Sequence, residues 1–332
     1  MTARVADGWS YRGLAAMVLE NAALRVTVLP ELGGHVLELV DKALDRNLLW
    51  ANPRTEPRRA PYGANFDDWW SGGWDEIFPT GDRALLHDEL LPYMGEAWSV
   101  PWEAHTGANG GAAWVETVGH TTIAPARLER TLRLDGDVPV LRARYRITNL
   151  DGRPLPFLWG IHPCFAVTAA HRIDHPAATM LVGASSGPAM GEVGAAYAWP
   201  SQPVRGGEAR DSRAILPPAA AVFGGHWATD LSEGWLALTD TASRRGVALV
   251  FPREVFPYAW LWQVYGGWRG HHHLCLEPWT GYPMQLEEAA AAGRARVLEA
   301  GASLEAEAAF VLYGGLEGVR SVAPDGAGFA VR

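Results

Sequence analysis

Three segments of the sequence combine ionisable side chains with glycines and aromatic residues, the mixture found in catalytic and binding sites. They are Asp67–Arg83 (DDWWSGGWDEIFPTGDR), Trp159–Phe165 (WGIHPCF) and His271–Pro283 (HHHLCLEPWTGYP). The second contains His162 and the third contains Glu277. An imidazole and a carboxylate can both be poised near neutral pH, so this pair suits a reaction in which one group donates a proton and the other accepts one. A single His or Glu before proline is more often structural, so each residue alone is weak evidence.

The order of these motifs resembles that of the aldose 1-epimerase, or galactose mutarotase-like, family. His162–Phe165 (HPCF) is similar to the family's histidine motif, and Cys275–Pro283 (CLEPWTGYP) looks like its Glu-Pro motif near the C-terminus. Ser71–Pro79 (SGGWDEIFP) resembles the Gly-Trp…Phe-Pro segment of that superfamily. Each motif alone is moderately specific, whereas their order along nearly the whole chain is more informative.

The resemblance implies a large antiparallel β-sandwich that binds a sugar in a concave face. It implies that Glu277 takes the proton from the C1 hydroxyl while His162 protonates the ring oxygen. The ring opens to the free aldehyde, the C1–C2 bond rotates, and closure on the other face gives the other anomer. This chemistry requires neither a metal ion nor an organic cofactor, so we predict none.

One position departs from the family pattern. Family members carry a second histidine in a His-Gly-Glu segment, where it helps to hold the sugar, and Met94 occupies this position in LPYMGEAW. A thioether donates no hydrogen bond and accepts only weakly. His87 lies seven residues earlier and is an alternative sugar contact, although a plain surface histidine fits equally well. Met94 therefore weakens the expectation of an ordinary hexose and favours a modified sugar, or a protein that only binds sugar.

Further residues near these motifs are predicted to contact the substrate. Flat indole rings can stack on the apolar face of a pyranose, and charged groups bind hydroxyls well. Arg83 also suits a sugar that bears an acidic group. The predicted contacts are Trp74, Asp75, Glu76, Arg83, Trp159, Trp262, Gln263 and Trp279, together with His87 and Met94. For any single one of the 16 tryptophans, burial in the core is the more frequent outcome.

The two cysteines allow a second interpretation. Cys164 lies two positions after His162, and Cys275 lies two positions before Glu277. Residues i and i+2 of a strand point to the same face, so the four side chains would converge if the two strands are neighbours. That set of ligand types suits zinc. Small buried hydrophobic residues are the simpler account of both cysteines, and we predict no metal site.

The elements that must position these residues are strands. Apolar residues occupy alternate positions in many short runs, which predicts half-buried strands. Turn signals such as Asp135-Gly136 and Gly266-Gly267 separate them. The clearest helix is 286–292, closed by Gly293. Predicted strands include 24–28, 127–134, 141–147, 235–240, 247–251, 259–265, 273–277 and 306–313.

Many strands with few helices, and no alternation of strands with helices, predict an all-β fold, a large antiparallel β-sandwich with few short helices. Residues 166–225 are rich in Ala, Gly and Pro. We interpret them as long connections and not as a linker between domains, because strands of the same character resume afterwards. All 332 residues are therefore assigned to a single domain, since large all-β folds reach this length without splitting.

Composition limits the partners and the location. The net charge is -9 with no long run of either sign. This argues against nucleic acid or an anionic membrane as the main partner, because both attract clustered Lys and Arg. The N-terminus lacks the apolar core of a signal peptide, and no stretch is suited to spanning a bilayer. With only two cysteines, we expect a cytoplasmic protein. The charge and the family resemblance together predict a small-molecule sugar as its partner. A homodimer is compatible with the sequence.

Three functions remain open from the sequence. The first is an aldose 1-epimerase-like isomerase that interconverts the α and β anomers of an aldose or a modified sugar. The second is an enzyme that cleaves a glycosidic or C-glycosidic bond. Hydrolysis normally needs two carboxylates, and Asp75 or Glu76 would have to be the partner of Glu277. The third is a non-catalytic carbohydrate-binding protein.

Overall fold

The computed structural model describes residues 2–204 and 206–332, and strands dominate both ranges. The predicted all-β class with few short helices is confirmed. Within the described residues, no helix is long and apolar enough to cross a membrane. The helical elements are α1 (Phe66–Trp69), α2 (Leu286–Ala291) and 3-10 turns at Pro30–Leu32, Pro188–Met190 and Pro218–Ala220.

The strands follow one another closely along the chain. In the first half they are β1 (Arg4–Tyr11), β2 (Leu14–Glu20), β3 (Leu24–Leu29), β4 (His35–Asp41), β5 (Arg46–Asn47), β6 (Trp74–Ile77), β7 (Ala84–Leu86), β8 (Glu89–Leu91), β9 (Glu103–Asn109), β10 (Ala112–His120), β11 (Ala126–Asp135), β12 (Val140–Asn149), β13 (Leu155–Phe157) and β14 (Gly160–Ala166). In the second half they are β15 (His171–Asp174), β16 (Thr179–Ser185), β17 (Ala196–Ala198), β18 (Ser201–Gln202), β19 (Arg210–Asp211), β20 (Val222–Ala228), β21 (Trp235–Asp240), β22 (Arg245–Val250), β23 (Tyr258–Tyr265), β24 (His272–Trp279), β25 (Arg296–Leu298), β26 (Ser303–Gly314), β27 (Val322–Asp325) and β28 (Gly328–Val331).

Every strand predicted from alternation is present, and the predicted helix is α2. The interpretation of residues 166–225 as connections is wrong in part, because β15 to β19 and the start of β20 lie there. Most of these strands contain only two to four residues, too few to show a period of two.

The chain forms two compact units. The first unit runs to Pro163 and includes Trp279–Ala308. Its first sheet contains β1, β2, β3, β4, β6 and β14 in this order, and its second contains β12, β11, β10 and β9. Strands β1 and β2 pack on β10, and β2 also packs on β11. The first unit is therefore an antiparallel β-sandwich with a core between its two sheets.

The second unit comprises Cys164–Pro278 and Ala309–Arg332. One of its sheets has the order β24, β23, β20, β16 and β17, and the other has the order β15, β21, β22 and β26. The pairings of β20 with β23 and of β21 with β22 are antiparallel. Long buried strands such as β21, whose six residues are all buried, supply the core of this unit.

Candidate functional site

Three ionisable residues of the first unit lie in one row across β4, β6 and β14. The register of β4 with β6 places Val36 opposite Trp74, and that of β6 with β14 places Asp75 opposite His162. Residues paired across neighbouring strands share a face, and successive residues alternate between faces. His35, Asp75 and His162 therefore project from the same face of the sheet.

A hydrogen bond joins His35 to Asp75. His35 Nδ1 lies 2.7 Å from Asp75 Oδ1, and the two residues are only 2% and 4% exposed. An ionised carboxylate only accepts, so His35 carries a hydrogen on Nδ1 when Asp75 is charged. Asp75 Oδ2 and His35 Nε2 have no hydrogen-bond partner among residues 2–204 and 206–332. The pair therefore keeps unused hydrogen-bonding capacity at a buried position.

The Gly72-Gly73 turn packs against the His35 ring and leads directly into β6, which carries Asp75. The two glycines have φ values of +87° and +74°, a region that favours glycine. A Cβ atom on Gly72 would lie 2.1 Å from the Trp50 carbonyl oxygen, and one on Gly73 would lie 2.5 Å from the His35 ring. Both glycines of the motif are thus required for the close approach of this turn to its neighbours.

The ring of His162 is enclosed by aromatic side chains at α1. Phe66 and Trp70 meet it edge-on, with centroid distances of 5.7 and 5.4 Å, and Trp98 packs edge-on against Phe66 at 5.0 Å. Burial in these surroundings lowers the pKa of His162 to about 4, while the negative charge of Asp75 acts in the opposite direction. The protonated fraction of His162 therefore depends on its neighbours.

A small cavity lies beside the row. Its wall includes His35, Asp75, Phe66, Trp70 and Trp98. The volume of about 20 Å³ accommodates a water-sized group but not a pyranose ring. In this conformation the cavity therefore fits one hydroxyl or water next to the His35–Asp75 pair.

Glu277 belongs to the second unit, where it is 1% exposed on β24. His273, Cys275 and Glu277 occupy alternate positions of that strand and so share one face. Trp262 is half-buried in the same aromatic surroundings, since its ring lies 6.4 Å from Trp268, which lies 6.3 Å from His273. The predicted base is thus shielded from bulk water.

No protein-family model and no curated protein matches the sequence. Solved structures do match. A protein from Klebsiella pneumoniae, provisionally assigned as an aldose 1-epimerase, has a TM-score of 0.70 and 14% identity, covering 93% of this chain and 82% of that one. Galactose mutarotase-like proteins from Clostridium acetobutylicum and Lactobacillus casei have TM-scores of 0.64 and 0.61 and identities of 14% and 18%. They cover 95% and 90% of this chain and 99% and 100% of their own.

The fold is that of the galactose mutarotase-like proteins. The predicted fold type is thereby confirmed, and at these identities the likeness concerns the fold alone.

Within this mutarotase-like fold, Glu76 lies in the core of the first unit. Adjacent strand residues alternate, so Trp74 and Glu76 project to the face of β6 opposite Asp75. The Glu76 carboxylate accepts hydrogen bonds from Trp74 Nε1 at 3.1 Å, Tyr145 Oη at 2.9 Å and Trp159 Nε1 at 3.0 Å. Arg130 Nη1 donates a fourth at 3.1 Å.

These four donors hold the carboxylate of Glu76 inside the core, three of them at Oε1 and one at Oε2. Trp74, Glu76 and Trp159 are each at most 1% exposed. Burial raises the pKa of Glu76 above its ordinary value, and the Arg130 charge opposes that rise. We therefore reassign these three predicted sugar contacts to a buried structural cluster.

Trp279 is also part of the core. It is fully buried, and a Cβ atom on Gly160 or Gly81 would lie 2.5 or 2.9 Å from its ring. The indole thus fills the space that the two glycines leave open, and we reassign Trp279 from a sugar contact to the core. Trp262 remains the predicted stacking residue with an accessible surface.

Gln263 lies on the opposite face of β23 from Trp262, because the two are adjacent on the strand. It is 1% exposed, and its side-chain oxygen accepts hydrogen bonds from Tyr265 Oη at 3.2 Å and from Arg210 Nη2 at 3.3 Å. This places Gln263 in a polar cluster behind the sheet, and we reassign it from a sugar contact to that cluster.

The β7–β8 hairpin and the loop after it contain three other predicted contacts. Arg83 and His87 are exposed, and His87 with Asp88 forms the turn of the hairpin at φ values of 51° and 67°. Met94 is buried in a loop, where its backbone N–H donates to Gly81 O at 3.0 Å. The exposed tip favours a plain surface role for His87, while sugar contacts by Arg83 and Met94 stay predictions.

Cys164, His273 and Cys275 converge in the second unit. One donor atom of each lies within 4.8 Å of the others, and all three residues are buried. Their donor types suit a transition metal, but buried cysteines are also common without one. That the protein needs no metal stays a prediction, which elemental analysis of the purified protein tests.

Several residues around His162 were not predicted. His35 lies 40 positions before its partner Asp75, and no local pattern connects them. Phe66 and Trp70 flank the start of the first aromatic segment, whose density was the available signal. Trp98 is the last residue of the LPYMGEAW segment, in which Met94 occupies the position of the family's second histidine. Only the pairing of strands brings these residues to one face.

Proposed function

We propose that the protein is an aldose 1-epimerase-like isomerase that interconverts the α and β anomers of an aldose or a modified sugar. The main supporting observation is His162, a buried imidazole beside the carboxylate of Asp75, in a galactose mutarotase-like fold. The provisional assignment of the Klebsiella pneumoniae protein with this fold as an aldose 1-epimerase agrees with the proposal.

In the proposed reaction Glu277 removes the proton from the C1 hydroxyl as the bond between C1 and the ring oxygen breaks. The electron pair of that bond goes to the ring oxygen, which takes a proton from His162. The free aldehyde then rotates about C1–C2. On closure His162 takes the proton back from the ring-forming hydroxyl, and Glu277 returns its proton to the carbonyl oxygen.

The environments of the two groups support these roles. Burial disfavours the charged form, so His162 is mostly neutral near pH 7, and its imidazolium, once formed, releases the proton readily. Glu277 is nearly inaccessible, and in water-excluded surroundings charges interact more strongly with a developing charge on the substrate. Both groups return to their starting state at the end of each cycle, so the proposed chemistry needs no cofactor.

The proposed partner is a small-molecule sugar, and the proposed location is the cytoplasm. The overall charge of -9 without basic clusters supports a small ligand over nucleic acid or an anionic membrane. Trp262, half-buried near His273, is the residue that we propose to stack on the sugar.

Cleavage of a glycosidic bond is less well supported. Hydrolysis by two carboxylates needs a partner for Glu277. Glu76 is held by Arg130, Tyr145 and two indoles, so it is not free to act. Asp75, the other carboxylate considered for this role, is already hydrogen-bonded to His35.

Polarimetry tests the proposal. Freshly dissolved α anomers of glucose, galactose, deoxy sugars, uronic acids and sulfonated sugars are followed with and without the protein, and p-nitrophenyl glycosides are assayed in parallel. If the optical rotation of at least one free sugar reaches its equilibrium value faster with the protein than without it, the isomerase is supported. Release of nitrophenol with no effect on any free sugar would contradict it, and so would tight sugar binding with no acceleration.

A further inference from the structure

The row of His35, Asp75 and His162 contains two groups that the proposed reaction does not use. His162 is the proposed acid, whereas His35 and Asp75 have no step of their own. All three are at most 4% exposed, and they lie on adjacent strands of one sheet. A buried carboxylate is unfavourable unless it is paired, so its place here calls for an explanation.

Asp75 lies directly across from His162, and its orientation is fixed. The Cβ atoms of directly paired residues lie about 4.5–5.5 Å apart, which brings the two side chains next to each other. His35 Nδ1 binds one carboxylate oxygen at 2.7 Å, and the Gly72-Gly73 turn presses on the His35 ring. The second oxygen, Oδ2, accepts no hydrogen bond from any residue that the structure describes.

We propose that Asp75, held by His35, is a positioning residue that keeps a negative charge beside the imidazole of His162. The catalytic consequence rests on the function proposed above. The arrangement itself does not.

Electrostatics explains why such a charge is needed. Phe66 and Trp70 cover the His162 ring and remove it from water, which disfavours the imidazolium. Burial lowers the pKa of His162 to about 4, and the negative charge of Asp75 acts against this effect, as does a backbone hydrogen bond of His162. Without Asp75, the ring would hold a proton less often.

Few other ionisable groups of the first unit face the ring. Strand β6 contributes Asp75, and strand β4 contributes His35, whose charge would act against that of His162. The α1 segment contributes Phe66 and Trp70, which do not titrate. Among the ionisable groups of the first unit, Asp75 is therefore the one whose removal should most reduce the protonation of His162.

Histidine titration by NMR tests the proposal independently of turnover. Protein labelled with ¹⁵N in histidine is titrated with acid, and the His162 signals are assigned by their loss in His162→Gln. At the pH that half-protonates His162 in the wild type, the ring in Asp75→Asn should be protonated at least about tenfold less. Equal protonation in the two proteins would overturn the proposal.

The role of His35 has its own pair of variants. His35→Ala removes the donor that orients the carboxylate of Asp75, so the titration of His162 should shift in the same direction as in Asp75→Asn. His35→Asn retains an N–H donor near the position of Nδ1 and should restore most of the wild-type titration. Identical curves for the Ala and Asn variants would contradict the role of His35.

Control variants separate this effect from a general loss of charge or fold. Asp7 is exposed on β1 and accepts from Thr106 Oγ1 at 2.8 Å, so Asp7→Asn should leave the His162 titration unchanged. Asp75→Glu keeps the charge and serves as the second variant if Asp75→Asn does not fold. A shift in Asp7→Asn equal to that in Asp75→Asn would overturn the proposal.

Turnover provides the second measurement. With a sugar that the wild type accelerates in polarimetry, Asp75→Asn should lower kcat by about tenfold or more and change KM little. A higher KM at unchanged kcat would mean that Asp75 only binds sugar and would contradict the positioning role. If no sugar is accelerated but the NMR shift is present, the proposed function fails while the inference about Asp75 stands.

Discussion

Asp75 and Glu76 are neighbours in the chain, yet the fold gives them different tasks. Asp75 faces His162, and Glu76 faces the core, where Arg130 neutralises it. The sequence alone proposes both as sugar ligands, because two adjacent carboxylates in a motif look equivalent. Alternation along the strand predicts that the two side chains point to opposite faces of the sheet. Only the packing of the second sheet of the first unit shows that Glu76 lies on the face towards the core.

The buried Arg130–Glu76 pair should be costly to break. Glu76→Gln leaves a guanidinium that is fully buried without its counter-charge, so we expect a loss of about 3–5 kcal/mol in the free energy of unfolding. Urea denaturation followed by tryptophan fluorescence measures it. The half-exposed pair of Arg133 and Asp135 on the same strand provides the control. Asp135→Asn should cost at most about 1 kcal/mol, and equal losses in both variants would contradict the structural role of Glu76.

The tryptophans Trp262 and Trp279 should respond differently to replacement by alanine. Trp279 fills the space beside Gly160 and Gly81, so Trp279→Ala should cost about 3–5 kcal/mol of stability. Trp262 keeps an exposed surface, so Trp262→Ala should cost less stability and weaken sugar binding by about 1–3 kcal/mol. Thermal unfolding measures the effect on stability. Calorimetric titration with a sugar whose anomer exchange the protein accelerates measures the effect on binding. Unchanged affinity in Trp262→Ala would remove it from the binding site.

At the scale of elements, alternation in the sequence predicts the long strands well. Strands β11, β12, β23 and β24 are found where the pattern places them, since each has eight or more residues and a buried face. Most of the strands within 166–225 escape prediction because they contain only two to four residues. Helix α1 escapes because its four residues contain no helical period, although it supplies the wall around His162.

The turn before β6 provides a test at this scale. Gly73 and Gly63 have similar φ values of +74° and +72°, so replacement by alanine should cost each about 1–3 kcal/mol through backbone strain. A Cβ atom on Gly73 would also strike the His35 ring, whereas one on Gly63 has no atom within 4 Å. Gly73→Ala should therefore be the more destabilising variant in urea denaturation. Equal losses in the two variants would show that the His35 ring moves aside without lowering the free energy of unfolding.

At the scale of the whole molecule, buried neutral histidines make stability depend on pH. Burial lowers the pKa of His162 and His226 to about 4 and that of His175 to about 3, from an ordinary value of 6.5. Below pH 6.5 the unfolded chain binds protons at these positions while the folded chain does not. Stability should therefore fall as the pH drops from about 6.5 towards 4, and rise again with added base.

Chemical denaturation at several pH values measures this slope. His175 packs 3.9 Å from Trp199 and does not belong to the proposed site, so His175→Gln should reduce the slope without affecting activity. A flat profile between pH 6.5 and 4 in the wild type would mean that these rings are protonated in the folded protein. The sequence does not predict this property, since it depends on burial and not on the identity of the neighbours in the chain.

The order of motifs along the sequence predicts the fold type, which the structure confirms. It also names His162 and Glu277 as acid and base, roles that stay proposals. It does not predict the surroundings of these residues. His35, Phe66 and Trp70 reach His162 through strand pairing and a short helix, and Trp74, Trp159 and Trp279 are drawn into the core. These outcomes depend on contacts between segments distant in the chain, which local patterns do not encode.

The most direct test of the central claim is the rate at which the two anomers of a sugar exchange. Saturation-transfer NMR on an equilibrated aldose measures this rate in the presence of wild-type protein or of Glu277→Gln at equal concentration. The account predicts faster exchange with the wild type and a contribution about 10²–10⁴-fold smaller from Glu277→Gln, which should still bind the sugar. Equal acceleration by both proteins, or none by the wild type with any sugar that it binds, would contradict it.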